Sequence, residues 1–260
     1  MVERKTKMNP YLKNLTRIEF VVTSACTGHC KHCSQGEHKT NEHIDKDLAA
    51  DAVRKIAREY NITSVMTFGG EPLLFPDTVC EIHKAAKEMD IAQRQLITNG
   101  FFSKDTDKIN LVADCLIENG VNEILISVDA FHQETIPIAP VITFAKAVQR
   151  YHTVQTRVQP AWLVRREDNN IYNIKTREIL RQFNDLGIET AVGNVVFPAG
   201  NALQYFAEYF DLNTTEQNPY WEDPTDIKSI CFSANGDILG GNIYKQDISE
   251  ILSTYTPKGN

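Results

Sequence analysis

The feature that most narrows the fold of this 260-residue chain is a regular alternation, from Arg17 to Phe197, of short β-branched runs with longer segments of helical period. Strands are expected at 17–23, 64–70, 94–100, 123–129, 155–164 and 188–197. Between them apolar residues recur every three or four positions. Asp45 is placed to cap a helix over about 47–60 that aligns Ala49, Ala52, Val53, Ile56 and Tyr60. The next, about 77–89, aligns Val79, Ile82, Ala86 and Met89, and a third aligns Ile109, Val112, Ala113 and Leu116 before Gly120. A fourth follows Pro140 with Val141, Phe144, Ala145 and Val148, and a fifth carries Ile179, Leu180, Phe183 and Leu186 ahead of Gly187. Strands joined by helical crossovers pair in parallel and curl right-handedly, but six are too few to close an eight-stranded barrel. The expected fold is α/β, a partial (β/α)6 barrel open at one side.

That barrel occupies 16–197, preceded by an N-terminal extension, 1–15, and followed by a small C-terminal appendage, 198–260. The appendage holds a stretch rich in Pro, Asn and aromatics, then a hairpin-like piece, ICFSANGDILGGNIY. Hydrophobic residues at 42% and charged residues at 23% suffice for a sizeable core. A net charge of −7 leaves no excess of Lys and Arg for a phosphate backbone, so no nucleic-acid partner is expected. No run approaches the roughly 18 apolar residues of a membrane span, and the opening MVERKTKMNPYLKN has no apolar signal region. No membrane association and a cytoplasmic location are the expectation.

In parallel architectures chemistry sits at the carboxyl ends of the strands. Directly after the first strand comes TSACTGHCKHCSQGE, with Cys26, Cys30 and Cys33 in the spacing CxxxCxxC. Soft thiolates favour an iron-sulfur cluster or zinc, and a cluster on three cysteines leaves one iron without a protein ligand. The alternative is structural zinc completed by His29 or His32, which makes the chain a non-catalytic interaction module. A disulfide leaves an odd cysteine. The second strand ends in FGGEPLL, where Gly69 and Gly70 let a ligand approach the backbone and Glu71, before Pro72, can accept hydrogen bonds from an ammonium group. The same four residues suit a plain turn. Thr98 and Asn99 in LITNG, and Ser127 and Asp129 in LISVDA, are polar strand ends that suit either a ligand or a cap. Arg165 in LVRREDNN suits a carboxylate partner or solvent, and His132 in AFHQE reads as a surface histidine. Cys80 and Cys115, on predicted helices among apolar neighbours, read as packing.

The cysteine triplet together with Gly-Gly-Glu-Pro resembles the radical S-adenosylmethionine (radical SAM) superfamily, over about residues 16–197. The resemblance implies a four-iron four-sulfur cluster on Cys26, Cys30 and Cys33, with S-adenosylmethionine on the open iron. It places Gly69, Gly70, Glu71 and Pro72 at the methionyl amino group and His32 near the adenine. Thr98, Asn99 and Ser127 are implied at the ribose or carboxylate, Arg165 at the carboxylate, and Asp129 there or toward the substrate. The implied activity is reductive cleavage of S-adenosylmethionine to a 5′-deoxyadenosyl radical, with the electron from an external reductant such as a flavodoxin or ferredoxin. The C-terminal segment resembles part of a SPASM or twitch extension in Gly236-Asp237 and Gly241-Asn242-Ile243. With Cys231 alone, and Gly240 near where a second cysteine belongs, that extension is expected to be a scaffold without metal. Such extensions accompany peptide-modifying enzymes, which implies a peptide or protein substrate, with a small molecule or nucleoside as the alternative.

Overall fold

The computed structural model of the chain describes residues 8–36, 40–210 and 221–257. In chain order the elements are β1 (Arg17–Val21), α1 (Lys46–Glu59), β2 (Ser64–Phe68), α2 (Pro76–Glu88), β3 (Gln93–Thr98), α3 (Thr106–Glu118), β4 (Glu123–Ser127) and α4 (Ile138–Gln149). Then come β5 (Gln155–Gln159), β6 (Ala161–Trp162), α5 (Ile171–Asn184), β7 (Glu189–Thr190), β8 (Asn194–Val195) and α6 (Asn201–Tyr205). The chain ends with β9 (Ser229–Phe232), β10 (Asp237–Ile238), β11 (Gly241–Asn242) and α7 (Ile248–Thr254). The main sheet has seven strands in the order β7-β5-β4-β3-β2-β1-β9, every neighbouring pair parallel. This is the expected partial barrel, with one more strand than the sequence pattern revealed.

Helix signals translate closely into structure. Asp45 caps α1 by accepting from the backbone N–H of Asp47 and Leu48. The aligned residues of α1, Ala49, Ala52, Val53 and Ile56, are buried, as are those of α3 and α4. They pack against the outward strand residues Ile18, Phe20, Val65, Leu96, Ile124, Ile126 and Val158 in one core. One boundary differs: α4 begins at Ile138, so Pro140 lies inside its first turn, where a missing N–H costs nothing because those groups lack intrahelical partners.

The strands differ more. Each of the last two expected strands is broken in two, β5 from β6 at Pro160 and β7 from β8, and β6 pairs with β8 as a separate two-stranded ribbon. Proline has no N–H to donate to a ladder. The expected terminal hairpin is also corrected: its first strand, β9, joins the main sheet in parallel with β1. Phe232 lies in register with Phe20, the two rings stacked 4.6 Å apart and fully buried. Burying each ring is worth about 1.5–3 kcal/mol, which explains why the segment docks on the edge. The tight hairpin is β10–β11, turning at Leu239-Gly240, both with positive φ.

On the face opposite the helices, alternate strand residues are polar. Arg17 donates to Glu19, Ser64 and Gln95, and Glu123 accepts from Gln93, Gln95 and Arg157. No helix among the described residues is long and apolar enough to cross a membrane.

His83 on α2 is fully buried, its Nε2 2.9 Å from the hydroxyl of Thr67. Burial, helped by Arg94, lowers its pKa to about 3. Between that value and the ordinary histidine range the unfolded chain binds a proton that the folded one refuses, so stability rises with pH across this window. We expect the parent, relative to His83→Gln, to lose on the order of 3 kcal/mol between pH 7 and pH 4. Paired urea titrations at the two pH values check this, and parallel curves for both proteins would show that His83 does not titrate with unfolding.

Candidate active site at the barrel mouth

The loop after β1 is held by backbone contacts before any ligand is considered. Gly70 N–H donates to the carbonyl of Thr23 and Glu71 N–H to that of Ala25, both at 2.8 Å. A Cβ on Gly70 would meet the Ala25 carbonyl oxygen at 2.0 Å, and Gly69 has φ +140° with Thr23 O 2.7 Å from where its Cβ would be. The glycines expected to admit a ligand thus admit the cysteine loop itself. The far side of that loop is pinned from the segment beyond the expected barrel boundary. Asn201 donates its backbone N–H to Cys33 O at 2.9 Å and its amide to Cys30 O at 3.2 Å. Gly200 lies so close that a Cβ would meet Cys33 O at 2.7 Å. Asn201 was not legible as a site residue, since its partners are carbonyls remote in sequence.

Cys26, Cys30 and Cys33 are brought together. Cys26 Sγ accepts from Gly28 N–H at 3.4 Å and from the Asn99 amide at 3.6 Å. Burial raises the Cys26 thiol to about 11, and the charge of Glu71 and then that of Cys33 add to the rise. Burial, with Asp129 and both other thiols, also raises Cys30, and burial raises Cys33. Three thiols on one short loop offer soft ligands of the kind that hold an iron-sulfur cluster or zinc.

Glu71 is held by hydrogen bonds from within the protein. Its carboxylate is fully buried: Oε1 accepts from the Thr98 hydroxyl at 2.6 Å and Leu73 N–H at 2.9 Å, and Oε2 accepts from Asn99 N–H at 2.8 Å. It caps the short 3-10 turn that starts at Pro72 and ties the end of β2 to the end of β3. Burial lifts its pKa to about 7 against the opposing pull of these hydrogen bonds. Thr98 is likewise committed, accepting from Gly100 N–H, while Asn99 reaches Thr27 and Phe101 on the way to Cys26. These residues form the rigid mount of the mouth.

Asp129 is fully buried and held within the protein: Oδ1 accepts from the N–H groups of Phe131 and His132, and Oδ2 from Ala161 N–H. Oδ2 also lies 2.8 Å from His132 Nδ1. Burial alone would raise its pKa, but His132 beside it holds the carboxyl well below the usual range. His132 is therefore a half-buried member of a pair rather than a surface histidine; the three-residue spacing Asp129-His132 was the available signal. Its ring meets that of His32 edge-on at 4.6 Å, and His32 also lies 4.9 Å from the buried Phe131 ring. Burial, followed by His132, lowers the His32 pKa to about 4, and its Nδ1 has no partner among the described residues. His32, Asp129 and His132 offer ligand atoms within 4.8 Å of one another, but Asp129 is already saturated by backbone donors. Ser127 stands half-buried at the end of β4, whereas Arg165 is exposed, its backbone bonded to Leu163, Asp168 and Asn173.

A family model described as "Radical SAM superfamily" matches residues 20–198. A curated relative, "Probable GTP 3′,8-cyclase" of Saccharolobus solfataricus, is 28% identical over 211 residues, covering 78% of this chain and 64% of its own. Its counterpart from Saccharolobus islandicus matches over the same extent at 28%. The chain thus spans just under two thirds of the length of the curated relatives it matches. Among solved structures, Streptococcus suis SuiB bound to S-adenosylmethionine superposes with a TM-score of 0.58 at 13% identity, over 94% of this chain and 66% of SuiB. Native anSMEcpe with bound AdoMet and Cp18Cys peptide gives 0.57 at 14% identity, over 92% and 80%. At such identities the likeness is one of fold.

Proposed function

Because the chain belongs to the radical SAM superfamily, we propose that Cys26, Cys30 and Cys33 hold a four-iron four-sulfur cluster at which S-adenosylmethionine is reductively cleaved. The observation that carries this reading is the gathering of three thiols, one buried and two half-buried, on one loop braced by Gly70 and Asn201. When bound, the cluster supplies the electron that breaks a carbon–sulfur bond of S-adenosylmethionine, taken from an external donor such as a flavodoxin or ferredoxin. Asn99 orients Cys26 through its amide. The His32 ring, with its unpaired Nδ1, provides a flat polar wall for the adenine. Ser127 and the backbone of Gly69 and Gly70 remain the candidates for direct cofactor contacts, with Glu71, Thr98 and Asp129 holding that frame from behind.

For the substrate, a small molecule has more support than a peptide. The relatives that share 28% identity over 211 residues carry the name of a GTP cyclase. A peptide substrate rests on the SPASM-like segment alone, and there β9 serves as a strand of the main sheet, with Cys231 in register with Glu19.

Anaerobic reconstitution with iron and sulfide should give about four irons per chain, the content of one such cluster. Dithionite should then convert S-adenosylmethionine into methionine and 5′-deoxyadenosine. Stoichiometric zinc with no iron uptake would replace this reading with the interaction module.

A further inference from the structure

We propose that Cys80 and Cys115 are a redox-active pair that closes to a disulfide bridging α2 and α3, an oxidation site separate from the cysteine loop. Their sulfurs lie 2.6 Å apart, well inside the contact distance of two sulfur atoms and about half an ångström beyond a disulfide bond. Helical neighbours set this geometry. The two residues are 35 apart in sequence, one on each of two adjacent helices of the outer layer. Cys80 is 4% exposed, while Cys115 is half-buried and reachable. The Asn119 amide donates to the Cys115 carbonyl at 2.8 Å and lies 3.5 Å from its sulfur. Among the described residues no other thiol competes, since Cys231 sits on β9 and the remaining three follow β1.

Cys115 is the more exposed of the two, so its sulfur meets an oxidant first, while burial raises the Cys80 thiol far above its ordinary value. With a low-molecular-weight disulfide as oxidant, Cys115 attacks one of its sulfurs, its proton passing to the small thiol released, and is left as a mixed disulfide. Cys80 then attacks the sulfur of Cys115, its proton passing to the second departing small thiol. The two protein thiols lose two electrons and two protons, and the small disulfide becomes two thiols. The bridge ties together the helices that follow the Glu71 turn and the Thr98–Asn99 loop, and so fastens the frame of the mouth without touching Cys26, Cys30 or Cys33.

The test is anaerobic treatment of the reconstituted, full-length protein with oxidised glutathione, followed by alkylation, digestion and mass spectrometry. A linked peptide pair containing Cys80 and Cys115 is expected, with the intact mass lower by about 2 Da for the two hydrogens lost. Melting should rise by roughly 5–10 °C and fall back on adding a dithiol, with the iron content unchanged. Cys115→Ser should show neither the link nor the rise. Full alkylation of both cysteines after the treatment, or a lasting glutathione adduct on Cys115 with Cys80 alkylated, would overturn the proposal. Because the link is read in the parent protein, the result does not depend on any variant folding, and it stands apart from the cluster assignment.

Discussion

Cys30→Ala is expected to reduce iron binding and S-adenosylmethionine cleavage to background while the barrel stays folded. Cys30 is one of three thiols on a single loop, and two thiolates cannot retain a four-iron centre against loss to solvent. Cys30 is 8% exposed and belongs to the apolar core, where Gly28 and Ile136 also meet. A stability cost of about 1 kcal/mol therefore accompanies the loss of function. Cys26→Ala and Cys33→Ala, at half-buried positions, should lose the cluster at smaller cost. Iron analysis, charge-transfer absorption and denaturant unfolding of the three variants separate the two effects. Retention of full iron content and cleavage by any one of them would remove that residue from the ligand set.

The second large effect is expected from Glu71→Ala, which should destabilise the fold by about 3–5 kcal/mol rather than only weaken cofactor binding. Truncation strands the Thr98 hydroxyl and the N–H groups of Leu73 and Asn99 in a site closed to water. The expected pH dependence has a definite sign. The folded pKa of Glu71 is raised to about 7 by burial, so the folded chain holds a proton that the unfolded chain has released. Its contribution is complete below the ordinary carboxyl value and is lost as pH rises through about 7. The gap between parent and Glu71→Ala should thus narrow from pH 5 to pH 8, by on the order of 2–3 kcal/mol. This slope is opposite to that of His83. If Glu71→Ala matches the parent in unfolding midpoint and differs only in S-adenosylmethionine affinity by calorimetry, the carboxylate contacts the amino group directly and the buried arrangement is not the working one.

Several features were legible because their cause is local. The helix starting behind Asp45 needed only a capping carboxylate and an apolar stripe, and both appear as expected. The CxxxCxxC spacing confines three thiols to one loop whatever surrounds them. Other features were illegible because their cause lies across the sheet. Pairing of β9 with β1 depends on Phe20 meeting Phe232, 212 positions later, and no local period announces it. Cys80 and Cys115 looked like separate packing residues because a helix pattern shows which face is apolar but not which neighbour it meets.

By itself the sequence determined the α/β alternation, the parallel order that helical crossovers impose, and the thiol loop at the mouth, since all three follow from spacing along the chain. Only the tertiary structure decided which polar groups at that mouth are spent and which are open. Glu71 reads as an acceptor for an ammonium group and Asp129 as a cap or a ligand contact, and the fold supplies both with hydrogen bonds from backbone and neighbouring strands, while His132 and Asn201 come to lie beside them and the cysteine loop. The physical reason is that a buried carboxylate must satisfy its lone pairs wherever it lies, and the donors that do so arrive from segments far away in sequence.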